Sequence, residues 1–143
     1  MKKLNYYIVE AWSGVKQQAN NTNIESWCEE MGIKNYTINS KGEIDVDGYV
    51  DLAGRDIKEL PYKFGTINGF FSLSYNQNLI SLKNCPNYIL GNHMFSIDGC
   101  FKLDSLEGCP KEVSGLFYCR DCKRKFAEKE VMSLCEVKRG IIN

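Results

Sequence analysis

The sequence predicts an α+β protein whose main part is a short β-solenoid of about four rungs. Three observations predict it. Ser81–Pro86 and Ser105–Pro110 share the pattern Ser-Leu-x-x-Cys-Pro, with their prolines 24 residues apart. Four segments each place a glycine before an alternating apolar pair, and short helical patterns lie on both sides of these repeats. Because one such repeat cannot bury its apolar side alone, stacked copies are expected.

Each repeat places two apolar residues on one side of a short strand, because alternate residues of a strand point the same way. These inward positions are Val50 and Leu52, Phe71 and Leu73, Phe95 and Ile97, and Phe117 and Cys119. Three places further on are the corner positions, Arg55, Asn76, Cys100 and Cys122. An Asn or Cys side chain there can hydrogen-bond backbone groups that the turn leaves unpaired. All three prolines fall on the return segment, where a missing N–H is tolerated.

This spacing matches the leucine-rich-repeat pattern L-x-L-x-x-N/C-x-L. The run Ser105–Cys119 resembles the repeat of small leucine-rich-repeat-like proteins encoded by bacteriophages, SLxGCPxxVxGxFxC, and the resemblance covers roughly residues 24–137. It implies a leucine-rich-repeat-like solenoid, a phage origin and a non-catalytic interaction role. It implies no defined active site.

We expect one domain with a capping region over 1–43, the repeat solenoid over 44–126, and a cap helix with its tail over 127–143. Caps are needed because a solenoid otherwise ends in an open apolar edge. In the first region Asn5–Trp12 is rich in aromatic and β-branched residues and predicts a strand. Tyr36–Asn39 and Glu43–Asp47 flank Ser-Lys-Gly and predict a hairpin.

Two short amphipathic helices are predicted. Ile24–Met31 carries Ile24, Trp27, Cys28 and Met31 at helical spacing, follows the capping cluster Asn20–Asn23 and ends at Gly32. Ala127–Glu136 carries Val131, Leu134 and Cys135 on one face and is read as the C-terminal cap.

Composition narrows the class of protein. The chain has 143 residues, 43% of them hydrophobic, which argues against wholesale disorder. No stretch is long and apolar enough for a membrane span, and the opening residues lack a signal-peptide pattern, so a cytoplasmic protein without a membrane partner is expected. The 18 basic and 18 acidic residues cancel, which disfavours nucleic acid as the partner.

The seven cysteines raise the possibility of a metal or redox site at Cys119-x-x-Cys122, near Cys109 and Cys135. The second half of a tetrahedral site is missing, and 119 and 122 are inward and corner positions of the repeat. We therefore expect free, mostly buried thiols, with no metal ligand and no cofactor assigned. The alternative is a zinc-linked or nucleic-acid-binding regulator that uses these cysteines and the basic segment Arg120–Lys129.

No residue is predicted to be catalytic. His93 is the only histidine and lies beside no nucleophile motif. Asp45, Asp47 and Asp51 alternate with apolar residues and predict a solvated strand face, and no glycine-rich phosphate loop is present. Neither an enzymatic function nor a small-molecule substrate is therefore expected.

The repeat register also predicts three outward columns. These columns are Tyr49, Phe70, Met94 and Leu116; Asp51, Ser72, Ser96 and Tyr118; and Ala53, Ser74, Asp98 and Arg120. An exposed apolar column usually marks a binding surface. The candidate partner-binding residues are Tyr49, Phe70, Met94, Leu116, Tyr118, Asp51, Asp98 and Arg120. The alternative is that the N-terminal segment, through Tyr6, Tyr7 and Trp12, covers the first column as part of the core.

Charge is uneven along the repeats. Residues 41–60 hold six acids and three bases, whereas 119–129 are mainly basic, which is either a solvated face or a bipolar surface that orients docking. The hypothesis from the sequence is a phage protein that binds and inhibits a host protein, such as a CRISPR effector or another defence protein. A virion or self-assembling component is a further possibility.

Overall fold

The computed structural model describes residues 17–143 of the chain. The chain divides into two compact units, Met1–Gly32 and Ile33–Asn143. The predicted strand Asn5–Trp12, and with it the possible cover of the apolar column, lies outside the described residues.

The described part of the first unit contains helix α1 (17–30). It is longer than predicted, so the capping cluster Asn20–Asn23 lies inside the helix. Two of its side chains make contacts one turn apart, since Gln17 Nε2 donates to Asn21 Oδ1 at 2.8 Å and Thr22 Oγ1 donates to the Gln18 carbonyl at 3.0 Å. Ile24 and Cys28 are buried, as the predicted apolar face requires.

The second unit is a β-solenoid of about four turns, which confirms the predicted solenoid. Within residues 33–143 these turns connect five layers, called coils 1 to 5 here, and each coil places one strand in sheet 1 and one in sheet 2. The strands of sheet 1 are β1 (Tyr36–Ile38), β2 (Ile44–Val46), β4 (Phe64–Ile67), β6 (Tyr88–Ile89), β8 (Glu112–Val113) and β10 (Glu136–Val137). The strands of sheet 2 are β3 (Val50–Asp51), β5 (Phe71–Ser72), β7 (Phe95–Ser96), β9 (Leu116–Tyr118) and β11 (Gly140–Ile142). Coil 1 carries β2 and β3, and each later coil carries the next pair.

Neighbouring coils pair in parallel, in the register that the repeat predicts. Ile89 is opposite Val113 in sheet 1, and Phe95 is opposite Phe117 in sheet 2. All eight predicted inward residues are buried. The predicted hairpin is also present, because β1 pairs antiparallel with β2, with Tyr36 opposite Val46.

Phenylalanines form a continuous stack between the two sheets. The ring centroids of Phe64 and Phe71 are 5.1 Å apart, those of Phe71 and Phe95 6.1 Å, and those of Phe95 and Phe117 5.1 Å. These separations are typical of favourable aromatic pairs. Coil 2 contributes two of these rings and coils 3 and 4 contribute one each, so the rings join three successive coils.

The corner positions differ along the solenoid. Asn76 is fully buried, and its Oδ1 accepts hydrogen bonds from the N–H groups of Arg55 and Ile57 at 3.1 and 2.9 Å. Its Nδ2 donates to the Leu52 and Leu73 carbonyls. Cys100 donates only to the Leu73 carbonyl, at 3.3 Å. Arg55 itself is exposed, because Asn76 from the next coil supplies the polar contacts that this turn needs.

The C-terminal region differs from the predicted cap helix with its tail. Helix α2 spans Glu128–Leu134 and buries Val131, but Leu134 is 50% exposed and the buried Cys135 lies just after the helix. The following residues form β10 and β11 and continue both sheets. The solenoid therefore extends beyond the predicted boundary at 126, because the pattern Val-x-x-Gly-Ile-Ile provides another apolar strand after a glycine.

Among the helices of the described residues, none has both the length and the apolar character needed to cross a membrane.

Candidate protein-interaction surface

The three predicted outward columns lie on the outer face of sheet 2. Glycines set how closely its strands approach one another at their beginning. A Cβ atom on Gly69 would lie 2.2 Å from the Gly48 carbonyl oxygen, and one on Gly115 would lie 2.4 Å from the His93 carbonyl oxygen. Only glycine permits this backbone contact. The residues that follow these glycines are therefore brought side by side as the apolar column.

The apolar column begins with a stacked aromatic pair. The Tyr49 and Phe70 rings are 5.1 Å apart at an interplanar angle of 14°. Tyr49 is 63% exposed, while Phe70, Met94 and Leu116 are half-buried. The column is thus an aromatic and aliphatic ridge whose most accessible member lies on coil 1.

Serine hydroxyls satisfy one another beside the ridge. Ser74 Oγ lies 2.6 Å from Ser96 Oγ, and Ser72 Oγ donates to Ser74 Oγ at 3.2 Å. All three residues are buried. These hydroxyls hold adjacent strands together and leave no unpaired buried oxygen.

The predicted partner-binding residues Asp98 and Arg120 contact each other. Asp98 is only 7% exposed, and its carboxylate accepts hydrogen bonds from Arg120 N at 2.7 Å, Nε at 3.0 Å and Nη2 at 2.6 Å. This hydrogen bonding raises the pKa of Arg120. The Arg120 guanidinium also lies 5.4 Å from the centre of the Tyr118 ring. Asp98 therefore positions Arg120, which lies beside Tyr118 on coil 4.

The carboxylates of coil 1 and the basic side chains of the segment Arg120–Lys129 have different kinds of partner. No ion pair involves residues 41–60 in the part of the chain that the structure describes. Asp45, Asp47 and Asp56 instead accept hydrogen bonds from neutral groups of coil 2, at 2.8, 3.1 and 2.7 Å. Asp51, on β3, is exposed.

The basic segment is largely paired. Arg124 contacts Glu130 at 2.5 Å and Asp104 at 3.4 Å, and Lys123 contacts Asp104 at 3.7 Å. The hydrogen bond between Arg124 and Glu130 raises the pKa of the guanidinium and lowers that of the carboxyl group. The two charged regions therefore differ in ion pairing: the acids of residues 41–60 form no ion pair among the described residues, whereas most bases of the segment 119–129 do.

All seven cysteines are free thiols, and burial raises the pKa of each. The pKa of Cys119 is raised to about 11 and that of Cys122 to about 12. Cys119 is buried at the end of β9, and Cys122 Sγ donates to the Ile97 carbonyl at 3.4 Å. Within residues 17–143 no group of three or more His, Cys, Asp or Glu side chains is placed to hold a metal ion.

The repeat pattern did not predict two surface features, an exposed tyrosine and a groove. Tyr75 is as exposed as Tyr49 and lies against Gly99, where an added Cβ would come within 2.5 Å of its ring. Gly99 was the residue in the sequence that could have indicated this close approach of Tyr75.

An open groove of about 580 Å³ also lies along the return segments, lined by three lysines, Lys63, Lys83 and Lys111, among other residues. Lys63 Nζ donates to the Cys85 carbonyl and to Asn87 Oδ1, and burial lowers its pKa.

Comparisons with protein-family models, with curated proteins and with solved structures gave no match.

Proposed function

We propose that this chain is a non-catalytic protein-interaction module that binds its partner through the outer face of sheet 2. The observation that carries this function is the exposed Tyr49, stacked on the half-buried Phe70 at the start of an apolar ridge. Aromatic side chains bury much area at low entropic cost and are enriched among the residues that dominate binding energy.

The polar part of the face supports the same function. A buried polar group that loses its hydrogen bonds costs about 1–3 kcal/mol. Ser72, Ser74 and Ser96 already bond one another, and Asp98 is already bonded to Arg120. A partner can therefore cover this strip without leaving these groups unsatisfied.

We further propose that the module is phage-encoded and inhibits a host defence protein, such as a CRISPR effector, by occupying it. The support for this part is the resemblance of the Ser105–Cys119 repeat to those of small phage proteins. A rigid stack of parallel coils suits such a role, since its face loses little conformational entropy on binding.

Affinity purification from bacterial lysate with matched variants tests the proposal. Tyr49→Ala combined with Phe70→Ser removes the stacked pair, whereas Ile80→Ser removes an exposed apolar side chain away from this face. We expect the wild type and the Ile80 variant to recover one host protein in stoichiometric amount, and the double variant to lose it. Recovery of no such protein, or equal recovery by all three chains, contradicts the proposal.

A further inference from the structure

Among the described residues, no strand pairs with the outer side of β3. Within residues 17–143 it is the terminal strand of sheet 2 and pairs only with β5. Val50, Leu52 and Gly54 donate their N–H groups to carbonyls of coil 2, at 2.8–2.9 Å. Because successive residues of a strand direct their backbone groups to opposite sides, those of Tyr49 and Asp51 point away from the sheet. An edge of this kind is a template for pairing with another chain.

The same end of sheet 1 is closed. There β1 pairs antiparallel with β2, from Tyr36 opposite Val46 to Ile38 opposite Ile44. Sheet 2 has no equivalent strand beyond β3 among the described residues. The open edge is therefore specific to the sheet that carries the apolar ridge, and Tyr49 belongs to both features.

Charge selects the chemistry of the occupant. The Asp51 carboxylate is exposed, and its Oδ1 accepts a hydrogen bond from the Ala53 N–H at 3.1 Å. No acid in residues 41–60 forms an ion pair in the part of the chain described, although Glu43 interacts electrostatically with Lys63. Lysine or arginine side chains of an added strand would meet the Asp51 carboxylate, which forms no ion pair among the described residues.

We propose that the β3 edge binds an extended, basic segment of the protein partner, which adds to sheet 2 as a further strand beside Tyr49. This inference rests on the proposed function and specifies the partner's contact at that site. Backbone hydrogen bonds to Tyr49 and Asp51 supply affinity, and alternate side chains contact the Tyr49 ring and the Asp51 carboxylate. A second copy of this chain, adding its β11 edge, is a competing occupant that the test separates.

The test is an NMR titration of the ¹⁵N-labelled full chain with two synthetic peptides. One peptide alternates lysine with valine, and the other alternates glutamate with valine. We expect the basic peptide to shift the amide signals of Tyr49, Asp51 and Ala53 and to slow hydrogen exchange at Tyr49 and Asp51. The acidic peptide should leave these signals unchanged. Absence of binding, equal binding of both peptides, or shifts confined to other strands overturns the proposal.

Asp51→Asn and Glu107→Gln form a matched pair, because each removes one exposed negative charge. Asparagine at 51 keeps an acceptor for the Ala53 N–H, so the turn is preserved. We expect Asp51→Asn to weaken binding of the basic peptide about fivefold, and Glu107→Gln to change it less than twofold. Equal effects of the two variants overturn the charge argument. Slow exchange at Tyr49 and Asp51 without peptide, together with sedimentation as an oligomer, overturns the proposal in favour of a second copy.

The outcomes for this edge and for the proposed function are distinguishable. If the ridge variants lose a host protein while the basic peptide fails to bind, the edge proposal fails and the interaction function stands. If the peptide binds at β3 while the lysate yields no partner, the edge binds basic strands and the proposed function fails.

Discussion

Coils 1 and 2 of the solenoid are joined by different chemistry from coils 3 and 4. Between coils 1 and 2, the buried Asn76 makes three hydrogen bonds to backbone groups of coil 1 and a fourth within its own coil. The carboxylates of coil 1 also accept hydrogen bonds from neutral donors of coil 2. Between coils 3 and 4, the corner contact is a single weak thiol bond from Cys122, and the ion pair of Asp98 with Arg120 accompanies it.

This difference shows why a chain of zero net charge has a charged end. Ion pairs neutralise the bases of the later coils where they lie, whereas hydrogen bonds to neutral donors leave the carboxylates of coil 1 negative. Stability and surface charge are therefore set separately at the two ends. The acidic end is the one that also carries the exposed Tyr49 and the open edge of sheet 2.

The largest effect is expected at the Asn76 corner. Asn76→Ala removes four hydrogen bonds and leaves backbone groups of coil 1 unpaired in the interior, so we expect the free energy of unfolding to fall by roughly 3–4 kcal/mol. Cys100→Ala removes one thiol bond at the equivalent corner and should cost about 1–2 kcal/mol. Urea unfolding of both variants measures the difference. Equal losses would show that the two corners contribute alike.

Alkaline pH should weaken the later coils through their buried thiols. The pKa of Cys100 is raised to about 11 and that of Cys135 to about 12, from an ordinary value of 9.0. The folded chain holds these protons more tightly than the unfolded chain, so stability is complete below pH 9 and falls as pH rises towards 11–12. Each such thiol contributes a slope of up to about 1.4 kcal/mol per pH unit.

Urea unfolding at several pH values between 8 and 10.5 checks this dependence. Cys135→Ala serves as the control, because it removes one of the titrating groups and should give a shallower decline. An identical slope in the wild type and this variant would mean that the Cys135 thiol does not contribute.

A smaller contrast is expected between a carboxylate of coil 1, Asp45, and one of coil 3, Asp104. Asp45→Ala loses the bonds from the Thr66 N–H at 2.8 Å and from Asn39 Nδ2, and should cost about 1–2 kcal/mol at any salt concentration. Asp104→Ala loses exposed contacts with Lys123 and Arg124 and should cost less than about 0.5 kcal/mol, with the cost vanishing in high salt. Thermal unfolding at low and high salt measures both. A larger, salt-dependent loss at Asp45 would contradict the comparison.

A small effect on stability is expected at the proposed binding face. Tyr49→Ala removes one stacked, largely exposed ring, so the free energy of unfolding should change by about 0.5–1 kcal/mol. Partner binding should nevertheless fall at least tenfold, since the ring is the most accessible anchor of the ridge. Calorimetric unfolding and a binding titration with the recovered host protein separate the two effects. A stability loss above about 2 kcal/mol would show that the ring belongs to the core.

The sequence predicted the repeated part of the fold because the signal there is dense. Alternation identified Phe71 and Leu73 as inward residues, and the Cys-Pro repeat at 86 and 110 defined the spacing. The final coil, β10 and β11, was not predicted, because it comes after helix α2 and is not preceded by a Cys-Pro pair. Helix α1 extends beyond its predicted start, and within it Asn21 and Thr22 make hydrogen bonds along the helix rather than cap it.

The sequence predicted which residues share the candidate surface, but it did not predict which of them contact one another. Alternation placed Asp98 and Arg120 in one outward column, 22 residues apart. Their contact depends on parallel register and on side-chain conformation across two coils, which a single sequence pattern does not contain. The same applies to the open edge at β3, because strand order decides which backbone groups lack a partner.

The central claim is that a protein partner binds the outer face of sheet 2, and two exposed tyrosines allow a direct test. Tyr49 lies on that face, whereas Tyr88, 39% exposed, lies on sheet 1. A photoreactive phenylalanine analogue is introduced at either position, and adducts formed in bacterial lysate are identified by mass spectrometry. The account predicts a covalent adduct with one host protein from position 49 and none from position 88. Equal adducts from both positions, or an adduct from position 88 alone, would contradict it.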